Sequence, residues 1–387
     1  MRILQTIGGM AASGGGTSSC TAQLFEAMAE FDPQVRLLTV APTSPTEEML
    51  GAGSVWLMSV PNDYRTPFCL SRNFRREIGQ SDAELFHTNG LWMDVNHITC
   101  SEARRRKRPY VITPHGMLYP EAMHRSRWKK LPLELLWFRK EILNADCIHV
   151  TCDKEMDHVR RYGYRGPVAV IGNPVMIPSC IGDIVSSPAP DDTETRTVGF
   201  LGRLHPIKQV ERILQGMALL PPDSRRRLRF AVMGSGDEAY ERYLVEQTHR
   251  LGLTGQVEFK GFVSGRRKFE ELSRLSALMV PSEMENFGMI VPEALLVNTP
   301  VMASTGTMWT SLDTERCGWW RSASAESIAG VLREILAATP GELRGMGRRG
   351  AEMVRRHYAA PIIAAKMLTL YRWILGGGEK PEFVYTL

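Results

Sequence analysis

The sequence predicts an α/β protein of two domains, each built on a parallel sheet of the Rossmann type, with a helical tail after the second. Three observations carry that expectation. A chain of 387 residues is too long for one ordinary core. Short apolar runs alternate with helix-length amphipathic segments, the pattern of right-handed βαβ units. That alternation breaks once, in a polar and proline-rich stretch, and then restarts.

Apolar runs at 3–7, 35–40, 55–58, 85–87, 110–113, 147–150 and 168–171 read as strands of a first domain over 1–176. The first run holds only Ile3 and Leu4 before Gln5, Thr6 and two glycines, so a strand is expected there and not a secretory leader. From 177 to 196, Pro178, Ser186-Ser187-Pro188-Ala189-Pro190 and Asp191-Asp192 show no apolar period, and a linker is expected. The alternation resumes at 198–201, 228–233, 257–259, 277–280 and 300–303, defining a second domain over 197–357. After Ser324 the pattern is helical at 325–336, 341–357 and 361–375; the tail, 358–387, is expected to cap the second domain or cross back to the first.

Hydrophobic content of 43% and charged content of 23% are those of a soluble globular protein. A net charge of +5 suits an anionic ligand or surface. Seven cysteines, odd in number and without a Cys-x-x-Cys pair, argue against a disulfide framework and a zinc site, and point to reduced thiols in a cytoplasm. No apolar stretch approaches the roughly 20 residues that span a bilayer.

The stretch from Ser282 to Leu296 is the most informative. It follows an apolar run, and Pro292 is tolerated only in a first helical turn, so a helix is expected to start near Ile290. Glu285 then lies in the loop and Glu293 just inside the helix, at the carboxyl end of a strand, where open α/β sheets bind ligands. The helix start suits a phosphate, and the two acids suit hydroxyls on either side of it. The stretch equally allows a Glu293 that only complements the helix dipole and a solvated Glu285.

In the second domain the run ending at Leu201 leads into Gly202-Arg203-Leu204-His205-Pro206-Ile207-Lys208. A guanidinium fork and an ammonium suit a diphosphate, with exposed surface cations as the plain alternative. Near the start, the loop 8–19 carries Gly8, Gly9, Gly14, Gly15 and Gly16 between a strand and a helix, which lets backbone N–H groups approach a negative ligand.

Taken together these residues resemble the retaining family-4 glycosyltransferases, whose fold, GT-B, sets two Rossmann-like domains facing across a cleft. The matching motifs are Gly202-Arg203 with Lys208, Gly234-Ser235-Gly236, and Glu285 to Glu293 in the pattern Glu-x-Phe-Gly-x-x-x-x-Glu. The resemblance spans nearly the whole chain. It implies that Arg203 and Lys208 hold the diphosphate of a nucleotide sugar and Glu293 its ribose, while Glu285, with the backbone around Phe287 and Gly288, holds the donor sugar. Gly15, Gly16, Gly202 and Gly234 would line the donor. The family's first-domain histidine maps to His115, in a loop directly after a strand, where a neutral imidazole bonds a sugar hydroxyl. The chain departs at 305–311, where Met308 and Ser311 stand in place of a Pro and a Glu found in relatives.

The expected activity is retaining transfer of a sugar from a nucleoside diphosphate to a hydroxyl of a glycan or lipid-linked glycan, in polysaccharide biosynthesis. No Asp-x-Asp lies at a strand end, so no metal and no cofactor beyond the co-substrate is expected, Arg203 and Lys208 replacing a divalent cation. A basic and aromatic region, Arg104 to Arg108 and Arg125 to Phe138, suggests peripheral contact with an anionic membrane at its cytoplasmic face. Nucleic acid is not expected, since no recognised module accompanies the charge. Two rivals stand: an NAD-type oxidoreductase using Gly234-Ser235-Gly236 as a dinucleotide fingerprint, and a non-enzymatic module binding through its basic run.

Overall fold

A computed structural model describes residues 1–11, 15–42, 44, 46–64, 68–125, 127–186 and 194–387. The chain forms two compact units, Met1–Met176 with Tyr358–Leu387, and Ile177–His357.

The first unit holds β1 (Ile3–Ile7), β2 (Val35–Val40), β3 (Leu57–Val60), β4 (Leu85–Asn89), β5 (Tyr110–Thr113), β6 (Cys147–Val150), β7 (Val168–Val170) and, from the C-terminus, β14 (Val384–Tyr385). Their order is β14-β7-β6-β5-β4-β1-β2-β3, parallel throughout except for the antiparallel β14. β1 and β4 are buried along their whole length, as expected of strands covered by helices on both faces. One face packs Phe74, Phe86, Val95, Ile98 and Phe138. The other packs Phe25, Met28, Ile363, Met367 and Tyr371. The helix Ala360–Ile374 thus belongs to this unit and lies against the helix Gly16–Phe31.

The second unit holds β8 (Arg196–Leu201), β9 (Leu228–Met233), β10 (Val257–Gly261), β11 (Ala277–Val280), β12 (Val301–Ser304) and β13 (Gly318–Arg321), in the parallel order β10-β9-β8-β11-β12-β13. Its core includes Val198, Phe200, Ile213, Phe230, Leu244, Met279 and Ile328.

The structure corrects the expected layout in places. The stretch read as linker contains the helix Ile181–Ser186, which buries Ile181 and Ile184 and packs on the helix Gly265–Ser273. Arg196, placed at the end of that linker, is buried and begins β8. Ser187 to Asp192 lie outside the described residues. β13 and β14 have no counterpart in the expected strands.

Candidate functional site

In the second unit β8 lies between β9 and β11, so the loops after β8 and β11 leave the carboxyl edge where the strand order reverses. That is the crevice in which open α/β sheets take ligands. The β8 loop carries Gly202, Arg203 and the short turn Pro206–Lys208, pinned by a bond from Ile207 N to His205 Nδ1 at 3.2 Å. The β11 loop carries Glu285 and leads into the helix Ile290–Leu296, with Pro292 and Glu293 in its first turn.

The two loops are tied together. Glu283 N donates to Ile207 O at 2.9 Å. The Lys208 ammonium pairs with the Glu285 carboxylate, their side chains 20% and 21% exposed. Glu293 has its own cation, Lys268, at 2.7 Å with side-chain exposures of 18% and 21%. Lys268 lies on the helix Gly265–Ser273 and was not foreseen; its only sequence signal is the run Arg266-Arg267-Lys268, which reads as a solvated face. Arg203 is exposed and pairs with no carboxylate among the described residues.

A third loop braces the glutamates. Ser304 Oγ donates to Ser282 O, Glu285 N donates to Gly306 O at 3.3 Å, and a Cβ on Gly306 would stand 2.1 Å from Glu283 O. Trp309, fully buried, donates its Nε1 hydrogen to Phe287 O and meets the Phe287 ring edge-on at 5.1 Å. The stretch 305–311 thus holds the backbone at Phe287. Gly288, at φ +76, lies against the Glu285 side chain.

The glycines of 234–236 have a packing reason. A Cβ on Gly234 would stand 1.9 Å from Gly202 O, and one on Gly236 would stand 2.1 Å from Leu204 O. Leu204 N donates to Ser235 O at 3.1 Å and Asp237 N to Leu204 O at 3.0 Å, so the two loops run backbone to backbone. Moreover β9, which precedes these glycines, is an inner strand beside β8 and not the unit's first strand, where a dinucleotide fingerprint belongs.

The first unit holds the remaining candidates. Gly15 caps the helix Gly16–Phe31 at φ +74, and a Cβ on Gly15 or Gly16 would meet nothing within 4 Å. Ala12, Ser13 and Gly14 of that loop lie outside the described residues. His115 follows β5 at φ +51, a left-handed conformation that is uncommon for a side-chain-bearing residue and concentrates at functional sites. Its Nε2 is 3.1 Å from Asn89 Oδ1, at the end of β4. Burial, with the neighbouring His149, pushes its pKa down to about 3, so the imidazole is neutral. The wholly buried Glu155 anchors this loop, accepting from Gly116 N and from Thr151 N at 2.9 Å. Asn89 and Glu155 were also unforeseen; the polar end of the strand, His87-Thr88-Asn89, was the available signal for the first.

The basic run is partly consumed by the fold. Arg105 and Arg106 pair with Glu102, and Arg106 also donates to Ser81 O and Gly79 O at the end of the helix Arg72–Gln80. The second basic region differs. Along Arg127–Leu133, Glu134–Phe138 and Arg139–Leu143 the side chains of Trp128, Leu131, Leu135, Leu136 and Trp137 are exposed, Trp128 at 76%. No helix of the described residues is long and apolar enough to cross a membrane.

Comparison with known proteins agrees with this layout. A model of the glycosyl transferase 4-like domain matches residues 15–174, and one of the glycosyl transferases group 1 matches residues 186–351. A D-inositol 3-phosphate glycosyltransferase of Segniliparus rotundus is 28% identical over 201 residues, 48% of this chain and 42% of that protein. An uncharacterized glycosyltransferase of Methanocaldococcus jannaschii is 29% identical over 146 residues, 37% of this chain and 36% of that protein. The chain thus spans less than half the length of these curated relatives. Among solved structures, Anabaena HepE in complex with UDP and glucose superposes with a TM-score of 0.74 at 16% identity, covering 96% of this chain and all of that one. Sucrose-phosphate synthase from Thermosynechococcus elongatus gives 0.75 at 20% identity over 97% of this chain and all of that one. At these identities the likeness is one of fold.

Proposed function

The chain belongs to the GT-B glycosyltransferases, and we propose that it moves a sugar from a nucleoside diphosphate to a hydroxyl of a glycan or lipid-linked glycan, with retention at the anomeric carbon. The observation that carries the reading is the Lys208–Glu285 pair, which joins the loops after β8 and β11 where the strand order reverses. An ammonium held beside a carboxylate is ready to exchange that single charge for the larger charge of a diphosphate. Glu285 is then released to accept hydrogen bonds from the donor sugar.

Arg203, exposed one loop residue beyond β8, supplies the second cation. Together with Lys208 it stabilises the charge that develops on the leaving diphosphate, the electrostatic contribution that usually dominates such a step. Two cations in that role make a divalent metal unnecessary. Glu293, fixed by Lys268, accepts from the ribose hydroxyls. Open backbone at Gly15 and Gly16 serves the donor, and the neutral ring of His115 bonds a sugar hydroxyl. HepE in complex with UDP and glucose supports a nucleotide-sugar donor, and the D-inositol 3-phosphate glycosyltransferases support a polar hydroxylated acceptor.

The apolar and aromatic side chains exposed at 128–137, among Arg127, Lys129, Lys130, Arg139 and Lys140, favour an acceptor met at an anionic membrane surface on the cytoplasmic side, as in polysaccharide biosynthesis. Cosedimentation with phosphatidylglycerol vesicles should capture the protein and release it when Trp128 and Leu135 are replaced by Ser.

Screening UDP-, GDP- and ADP-sugars for hydrolysis tests the reading as a whole. One donor should be turned over by the native enzyme and lost on Lys208→Met or Glu293→Ala. Binding of NAD in preference to every nucleoside diphosphate would defeat it.

A further inference from the structure

A chain of buried hydrogen bonds runs through the first unit from one backbone carbonyl to the candidate histidine. His149 Nε2 lies 2.8 Å from Ile171 O. A carbonyl only accepts, so that nitrogen carries the hydrogen and Nδ1 is the acceptor. Thr113 Oγ1, 2.8 Å from His149 Nδ1, must therefore donate to it, and is left to accept from His87 Nε2 at 2.6 Å. His87 Nδ1 then accepts from the Tyr371 hydroxyl at 2.7 Å, whose oxygen accepts from Gln5 Nε2. Gln5 Oε1 accepts from Asn89 Nδ2 at 2.8 Å.

The far end is set independently. Asn89 Nδ2 also donates to Thr6 O at 3.3 Å, a second carbonyl that only accepts. Both directions meet without conflict, and Asn89 Oδ1 is left facing His115 Nε2 as an acceptor. Gln5, His87, Thr113 and Tyr371 are wholly inaccessible to solvent, so no water competes for these groups.

Resting on the glycosyltransferase reading, we propose that this relay, closed by Tyr371 of the helix Ala360–Ile374, is a positioning device that holds His115 as its Nε2–H tautomer. His115 Nδ1 is then an obligate hydrogen-bond acceptor. It takes a ligand group that donates, a sugar or cyclitol hydroxyl, and rejects a phosphate or carboxylate oxygen at that spot. Burial keeps the rings uncharged, with His149 pushed down to about 4 and His115 to about 3, which agrees with a relay of neutral imidazoles.

The test is the nitrogen-15 spectrum of the imidazoles of the protein without substrate, assigned by single His→Gln replacements. His87, His115 and His149 are expected as pure Nε2–H tautomers at neutral pH. A His115 found as the Nδ1–H form or as imidazolium overturns the proposal, and this holds whether or not the protein transfers sugar. Asn89→Leu removes the acceptor that faces His115 Nε2, so His115 should become a mixture of tautomers, with kcat/KM for transfer down about five- to tenfold, the loss of one hydrogen bond, and donor affinity unchanged. An unaltered tautomer together with unaltered transfer in that variant removes the relay from the account. If Asn89→Leu does not fold, the spectrum of the native protein still decides.

Discussion

Acidification from pH 7 to pH 5 should loosen the first unit, because His87 and His149 are buried in it and His115 is half-buried beside them. Burial holds the His115 pKa at about 3 and the His149 pKa at about 4, and takes His87 well below the ordinary range. In the unfolded chain each ring titrates near about 6.5. Each therefore gains its proton only on unfolding, and acid favours the unfolded state. Stability is complete above neutral pH, is lost as the pH falls through about 6.5, and goes on falling toward the folded values. Over two pH units the linkage comes to about 2 kcal/mol for each of His115 and His149, about 4 kcal/mol for the two, and His87 adds in the same direction. That is a large part of the roughly 5–15 kcal/mol that holds a domain together. Asp94 and Asp146 pull the other way, since burial raises their pKa and the folded state then takes the proton first, so the net fall is smaller. Hydrogen exchange of peptides from β4, β5 and β6, corrected for intrinsic rates, reads the opening free energy directly. A value unchanged between pH 7 and pH 5 would refute the neutral-relay argument.

Three further expectations concern the second unit. Gly236→Ala puts a methyl group 2.1 Å from Leu204 O and should cost about 1–3 kcal/mol in thermal or urea unfolding, whereas Gly255→Ala, with nothing within 4 Å, should be neutral to about 0.5 kcal/mol. Trp309→Phe removes the bond to Phe287 O; exchange at 282–289 should quicken and donor affinity fall about tenfold, and unchanged affinity would leave Trp309 a core residue only. Transfer in excess chelator should match the untreated rate, and a loss restored by magnesium or manganese would show that Arg203 and Lys208 do not replace a cation.

Much of the fold was legible because strands of a parallel sheet buried on both faces read as short apolar runs, and β1, β2, β5, β6, β9 and β11 stand where those runs stand. β13 escaped because Gly318 interrupts its apolar character. The glycine is needed there: a Cβ would meet Val301 O at 2.0 Å. β14 is two residues long and pairs with a strand more than 200 positions earlier, which no local pattern reports. The helix Ile181–Ser186 was hidden by its length and by Ile181 and Ile184 being its only buried residues.

For the candidate site, Lys208, Glu285 and Glu293 carried a signal because each sits at a fixed offset from a strand end. Lys268 did not: its partner is 25 residues away and its neighbours Arg266 and Arg267 look like ordinary surface. The relay behind His115 was illegible for a stronger reason. It joins Gln5 to Tyr371 across 366 positions, and only the folded chain brings the C-terminal helix onto the first strand.

Calorimetric titration with the nucleotide sugar that the native enzyme hydrolyses tests the central claim most directly. Lys208→Met should weaken binding about 10- to 100-fold, the worth of a charge-assisted bond to phosphate. Glu293→Gln should weaken it by a smaller factor, through the ribose. Native affinity retained by both variants would contradict the assignment of the donor to the loops after β8 and β11.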